Sequence, residues 1–417
     1  MEQHGRQSHL VLSEAMEALQ GEDRDGAFLA RLIRGTTEYR LQLDYILDRF
    51  SSIRTKKMKP QIRTILRMTV YQICHMDAVP DRAAVSEALL LAEEKGFGSL
   101  KRFVNGVLRA VVREKENIPW PDVAQDPAYA LSIRYSVGQD LVEHWMDRYG
   151  LAETEAICRS FLEERPLWVH AFGGDPSCYA LDPGTDPTAL EAFREGRIYV
   201  QDRSSQKALE EVDIKPGDAV LDLCAAPGGK TLFAAERCAV PAEKTEQGRL
   251  PQRKTTGGGS GRVLARDISM EKVEKIRENL VRCHIDNVDL AVGDATVFDP
   301  ALEASFDVVI ADLPCSGYGV AGKKPEIKYK PYEETVRPLA ELQRTILAHA
   351  VRYVRPGGKL LYSTCTIAEE ENEQNCDWLC ATYGQDGLIP VGEHVQMLPS
   401  QGPWDGFFYA VFRKAKG

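Results

Sequence analysis

Five short apolar runs recur in the second half of the chain, at 220–223, 263–265, 288–292, 308–311 and 360–362, with helical patterns such as 269–283 and 337–354 among them. Runs so short and continuous suit strands covered on both faces. Strands that alternate with helices build a parallel sheet, because right-handed crossovers lay helices on each side. Two later runs, 395–398 and 406–412, are expected to close an antiparallel edge. The fold class is therefore α/β over 206–417.

The first 125 residues have a different texture. Ile62, Ile65, Leu66, Val70 and Ile73 recur at spacings of three and four, and Phe103, Val107, Leu108 and Val111 form a second apolar face. Pro80 and Asp81 mark a helix end and a helix start, and five to seven helices fit from residue 10 onward. This part is expected to be all-α. Pro119 and Pro121 interrupt the pattern as a linker would. Residues 126–205, helical at 131–161 and strand-like at 167–172 and 197–201, are expected to form a small mixed connector. The polar stretch 241–261 ends in Thr255, Thr256, Gly257, Gly258, Gly259, Ser260 and Gly261, linker composition inside the sheet domain, and reads as a flexible surface insertion without a role in chemistry.

Composition narrows the function classes. With 43% hydrophobic and 27% charged residues, the 417-residue chain is an ordinary globular protein of two to four domains. No apolar run approaches the roughly 18 residues of a membrane span, and residues 1–10 lack a signal peptide's apolar core, so a cytoplasmic protein without a membrane partner is expected. Ten cysteines without a C-x2-C pair argue against a zinc ribbon or a disulfide framework. No metal is expected. The formal net charge of −10 argues against nonspecific coating of nucleic acid. Three local basic clusters run the other way: Arg54, Lys56, Lys57, Lys59, Arg63 and Arg67; Lys101, Arg102, Arg109, Arg113 and Lys115; and Lys323, Lys324, Lys328 and Lys330. On charge pattern alone such clusters are solvated faces.

A ligand loop follows the first strand. Val220-Leu221-Asp222-Leu223 leads into Cys224, Ala225, Ala226, Pro227, Gly228, Gly229 and Lys230, a small-residue turn that opens a helix. Small residues let a ligand approach the backbone, and a helix N-terminus supplies unpaired N–H groups. Gly229-Lys230-Thr231 invites a P-loop reading, but that motif needs glycine where Cys224 stands. Asp267, at the end of the next strand, can accept hydrogen bonds from two ribose hydroxyls, which suits a nucleoside. Asp294, after the third strand, can reach an adenine amino group. A carboxylate at any one strand end is often only a cap.

Two further strand ends each present a cysteine, in Asp312-Leu313-Pro314-Cys315-Ser316-Gly317 and Tyr362-Ser363-Thr364-Cys365-Thr366. Here the chain resembles the Nop2/Sun-type RNA (cytosine-5)-methyltransferases, which use S-adenosylmethionine on a Rossmann-like sheet. The first half, in 66–73, 79–88 and 103–109, resembles the NusB-type helical RNA-binding domain. The resemblance implies methyl transfer to C5 of a cytidine in small-subunit ribosomal RNA. It makes Cys365 the nucleophile at C6, Cys315 the group that assists product release, and Asp312 the contact to the cytosine edge, bordering the cofactor as well. It covers nearly the whole chain except 241–261, and a monomer is expected. The chain departs from the family at Leu313, where alanine or proline is usual, and at Ala321-Gly322, where Ile-Arg is common; Lys323 and Lys324 can replace that arginine's charge.

The chemistry explains the thiols. C5 of cytosine is a poor nucleophile until something adds at C6, and a thiolate both adds and leaves well. A lone cysteine is usually a small buried hydrophobe, the reading taken for Cys74, Cys158, Cys178, Cys238, Cys283, Cys376 and Cys380. DNA cytosine methyltransferases attack with the cysteine of a Pro-Cys pair, which makes Cys315 the rival nucleophile. A rival of another class is a noncatalytic NusB-like RNA-binding or antitermination factor, which would have no affinity for S-adenosylmethionine. Methylation of an exocyclic amine would normally show an aromatic residue at the position of Cys315.

Overall fold

The protein is described by a computed structural model that covers residues 23–174, 177–240 and 261–416. The expected insertion at 241–261 lies, apart from Gly261, outside the described residues, as do residues 10–22 of the expected helical half. Two compact units emerge. One takes the chain to Glu163 together with Ala321–Tyr332, and the other holds Glu164–Val320 and Glu333–Gly417. The span 126–205 thus contributes helices to the first unit and a small sheet to the second.

In the first unit, helices run over Asp23–Glu38, Arg40–Phe50, Pro60–His75, Asp81–Glu94, Lys101–Glu114, Pro127–Tyr135 and Gln139–Ser160, the last interrupted at Gly150. Leu43, Leu47, Leu66, Val70, Val104, Leu108 and Val111 are fully buried, so the three-and-four spacing did mark the inward faces. Asp126 caps the helix that follows by accepting from the Tyr129 N–H, with Pro127 in the first turn.

Two lysine- and arginine-rich stretches are less available than their composition suggested. Arg67, counted among the surface cations, is buried and holds Asp44 through two hydrogen bonds of 2.6 and 2.5 Å. Its place on the inner side of Pro60–His75 follows from the same helical period that buries Leu66 and Val70. Arg67→Ala would leave Asp44 without its partner in a poorly solvated site, with an expected cost of about 3 kcal/mol in urea unfolding of the full chain. Lys328 is also no surface charge: it is fully buried, and Nζ donates to the carbonyls of Glu38 (2.8 Å) and Tyr135 (3.3 Å). Burial pushes this amine down to about 8. Neighbouring Tyr329 donates to the Thr37 and Glu38 carbonyls under the Arg40 guanidinium, and Ala321 is buried. The exposed cations that remain on the first two clusters are Arg54, Lys56, Lys57, Lys59, Arg102, Arg109 and Arg113.

The second unit contains two sheets among the described residues. Strands β1 (Leu167–Ala171), β2 (Cys178–Leu181) and β3 (Ile198–Val200) pair antiparallel in the order β2-β1-β3. The larger sheet comprises β4 (Ala219–Asp222), β5 (Arg262–Asp267), β6 (Val288–Val292), β7 (Phe306–Asp312), β8 (Val354–Thr364), β9 (Leu388–Pro390), β10 (Val395–Met397) and β11 (Phe407–Lys414). Its order is β10-β11-β8-β7-β4-β5-β6, with β9 beside β11. The pairs β7-β8, β7-β4, β4-β5 and β5-β6 are parallel, and β11 runs antiparallel to β8. This is a Rossmann-like mixed sheet with the expected antiparallel edge. Val220, Leu221, Val309, Ile310, Leu360 and Leu361 are fully buried, which is why these strands read as unbroken apolar runs. The helix Tyr332–Tyr353 begins five residues before the expected 337, carrying Pro338 inside it rather than at its first turn.

Candidate functional site

The carboxyl ends of the parallel strands gather the polar groups of the second unit, as open α/β sheets require. Asp222 ends β4, Asp267 ends β5 and Asp312 ends β7. Between β4 and the helix Gly229–Cys238 the chain makes a tight turn in which Gly228 takes a positive φ of 107°. A Cβ there would also lie 3.2 Å from Ile276 Cγ2, so only glycine fits without strain.

This turn forms one wall of a cavity of about 390 Å³, within the size range of small-molecule sites. Cys224, Ala225, Ala226, Pro227, Gly229, Lys230 and Asp312, all candidate cofactor contacts, line it. Asp222 lines it too and was not foreseen. Its carboxylate is fully buried; Oδ2 accepts from Thr231 Oγ1 at 2.7 Å while Oδ1 has no protein partner. Burial raises this group to about 7. Tyr199, Val200, Gln201, Asp202 and Ser205, from β3 and the start of the helix Arg203–Val212, also line it. Gln201 Nε2 is likewise buried without a protein partner. An unmatched acceptor and an unmatched donor on one cavity suit the ammonium and carboxylate of an amino acid, the two charges at one end of S-adenosylmethionine. The sequence signal for these residues was the Asp202-Arg203-Ser204 helix start, in which Asp202 accepts from Ser204 N and Oγ.

Two expected nucleoside contacts stand elsewhere. Asp267 is only 4% exposed and is not on the cavity wall; its carboxylate receives the N–H groups of Ala226 and Ile268 and the Lys272 ammonium. It ties the ligand loop to the end of β5. Asp294 is exposed, off the cavity wall, and caps its own turn by accepting from Thr296 N and Oγ1, which hold it below the usual carboxylate range. Gly228 shapes the turn without lining the cavity.

The two cysteines do meet. The parallel register sets Asp312 of β7 beside Ser363 of β8, and three residues past the first and two past the second bring Cys315 and Cys365 together with Sγ atoms 3.3 Å apart. Asp312 joins this pair to the cavity: Oδ2 accepts from Lys230 Nζ at 2.6 Å and Oδ1 from Ser363 Oγ at 2.7 Å. The hydrogen bond with Cys365 and burial push the Cys315 thiol well up, with the negative charges of Glu371 and Asp312 adding to the shift. Cys224 is pushed up to about 12 by burial and is no nucleophile. Among the described residues no cluster of metal-ligating side chains occurs, and no helix is long and apolar enough to cross a membrane.

Comparisons with known proteins give the family and the fold. The family model for the 16S rRNA methyltransferase RsmB/F matches residues 210–413, and that of the NusB family matches residues 1–113. A probable ribosomal RNA small subunit methyltransferase B from Bacillus subtilis is 31% identical over 99% of this chain and 96% of its own length. Another from Synechocystis sp. is 28% identical over 94% of this chain and 92% of its own. The crystal structure of PH0851 superposes with a TM-score of 0.77 at 24% identity, over 96% of this chain and 93% of that one, which establishes the fold. The chain belongs to the RsmB/F family of S-adenosylmethionine-dependent 16S rRNA methyltransferases, with a NusB-family N-terminal domain.

Proposed function

We propose that the protein methylates C5 of one cytidine in small-subunit ribosomal RNA through a covalent adduct between Cys365 and C6 of the base, acting as a cytoplasmic monomer. The observation that carries this reading is the 3.3 Å approach of two thiols on neighbouring strand ends, with Asp312 linking them to the cavity. S-adenosylmethionine, when bound, supplies an electrophilic methyl group. Asp222 and Gln201 would hold its amino-acid end and the turn from Cys224 to Lys230 its flank. Asp267 would serve the cofactor by fixing the loop backbone through the Ala226 N–H.

Cys365 adds to C6 and pushes an electron pair toward C5, the position that must become nucleophilic. Asp312, at the end of β7, hydrogen-bonds the cytosine edge and stabilises the charge that develops on the ring. Once C5 carries a methyl group it still bears its proton; transfer of that proton to a water molecule restores the C5–C6 double bond and expels the Cys365 sulfur from C6 with the C–S electron pair. Cys315, whose sulfur lies 3.3 Å from that of Cys365, gives a proton to the departing sulfur and regains one from solvent. A stacked base cannot meet Cys365, so the substrate is a loop nucleotide or one flipped from its helix.

The helical domain is proposed to guide the RNA, with the exposed cations Lys56, Lys57 and Lys59 neutralising phosphates. Simultaneous charge reversal at these three positions is expected to weaken RNA binding by about tenfold or more at 0.1 M salt and to flatten its salt dependence; unchanged affinity in a titration would remove this part. Bisulfite sequencing of ribosomal RNA from cells with and without the protein tests the product. One protected cytidine that disappears with the gene is expected, and identical patterns would refute the reading.

A further inference from the structure

Behind the two thiols lies a buried polar array that the proposed chemistry does not use. Glu371 and Asn372 follow Cys365 by six and seven residues and are both fully buried. Glu371 accepts the Ser316 N–H, at 2.9 Å to Oε2 and 3.3 Å to Oε1. It also accepts from Gln343 Nε2 at 2.8 Å, and the same Nε2 donates to the Pro314 carbonyl at 2.9 Å. The peptide groups on both sides of Cys315 are therefore held from one point. Asn372 does the same for the other loop: Oδ1 accepts from Thr364 Oγ1 at 2.6 Å and Nδ2 donates to the Thr366 carbonyl at 3.1 Å, one contact on each side of Cys365. A hydrogen bond of 2.6 Å between Ser316 Oγ and Thr366 Oγ1 joins the two loops directly.

The array is itself anchored. Gln343 Oε1 accepts from Asn375 Nδ2 at 2.9 Å and Tyr362 Oη at 3.2 Å, Tyr362 Oη also donates to the Glu371 carbonyl, and Asn372 Nδ2 donates to Gln396 Oε1 at 2.8 Å. Burying a carboxylate and three amides is costly unless each group is matched. These groups are matched by the segments that carry the two sulfurs. An apolar core would hold the strands equally well, but would leave the short loops beyond them free to rotate the thiols apart. A loss of 1 Å in such an alignment is enough to slow chemistry by about a hundredfold.

We infer that Glu371 and Asn372 form a two-residue clip of positioning residues, Glu371 with Gln343 fixing the Cys315 loop for product release and Asn372 fixing the Cys365 loop for attack on C6. The inference rests on the assignment of attack to Cys365 and release to Cys315. Its distinctive consequence is that adjacent residues control different steps.

The test is single-turnover methylation of substrate RNA by the full chain, with the SDS-stable protein–RNA adduct and the free methylated RNA followed separately. E371Q turns one accepting oxygen into an amide that faces Gln343 Nε2, and N372D turns the donor to Thr366 into a carboxylate oxygen. E371Q is expected to form adduct within a few-fold of the wild-type rate and to release it about 100-fold more slowly, so that adduct accumulates. N372D is expected to form adduct about 100-fold more slowly with no accumulation. Q343M and T364V, which each remove contacts from one side only, should reproduce the two patterns at smaller amplitude and stand in if an isosteric variant does not fold. Equal slowing of both steps by all four variants, or no change in either, overturns the clip while wild-type trapping on 5-fluorocytidine RNA leaves the covalent reading standing. Failure of the wild type to form any adduct refutes that reading and the clip with it.

Discussion

Cys365→Ala is expected to lose methylation by at least about 10⁴-fold, because it removes the atom that makes C5 nucleophilic and not merely a group that assists. Cys315→Ala is expected to behave differently. Attack and methylation proceed, but release slows by about 10²-fold or more, the usual contribution of a positioned proton-transfer group. A stable adduct with ordinary cytidine RNA then accumulates in Cys315→Ala and is absent in both the wild type and Cys365→Ala. The asymmetry follows from the roles given to the pair: Cys365 carries the covalent bond, whereas Cys315, with its sulfur 3.3 Å away, meets only the departing sulfur. Denaturing gels of the three proteins with one RNA read the outcome, and the reverse pattern would exchange the two roles.

A pH effect is expected at the cofactor cavity. Asp222 is raised to about 7 by burial, with Thr231 and Lys230 opposing the shift. A folded-state value above the unfolded one means that the neutral acid is favoured by folding. Stability from this group is fully present below the unfolded value near 3.8 and is lost as pH rises through about 7, by about 4 kcal/mol at most. Glu371, also raised to about 7 by burial, acts in the same direction. A bound ammonium reverses the preference at Asp222, because it needs the carboxylate. Affinity for S-adenosylmethionine should therefore fall by about tenfold per pH unit below 7. Asp222→Asn should bind the cofactor more weakly at pH 8, lose most of this slope, and unfold at a higher temperature than the wild type at pH 8 without cofactor. Calorimetric titration at pH 6, 7 and 8 and thermal melts check both parts; a wild-type affinity independent of pH would contradict the role given to Oδ1.

What could be read from the sequence depended on how local each signal was. Val220, Val309 and Leu360 announced the sheet because a strand buried on both faces must be continuously apolar, and the spacing of Ile62 to Ile73 announced a helix with one inward face. The pairing of Cys315 with Cys365 was accessible only through family resemblance, since it depends on β7 lying beside β8, a long-range fact that no local pattern encodes. Where burial decides the outcome, composition misled: Arg67 and Lys328 count as charges in a cluster, yet one is spent on Asp44 and the other on backbone carbonyls. Gln201 and Ser205 on the cavity were not legible because their residue types are ordinary and only the fold brings them to the same cavity as Cys224. Glu371 and Asn372 were invisible for the same reason. A polar residue in a string of acids, 369–373, reads as surface until the chain buries it.

Peptide mapping of the wild-type protein trapped on 5-fluorocytidine RNA tests the central claim most directly. Fluorine at C5 cannot be removed as a proton is, so the methylated adduct stalls with its sulfur still attached. Linkage of the nucleotide to the peptide bearing Cys365 is the result expected; linkage at Cys315, or complete methylation of an ordinary cytidine substrate with no trapped species on the fluorinated one, would contradict it.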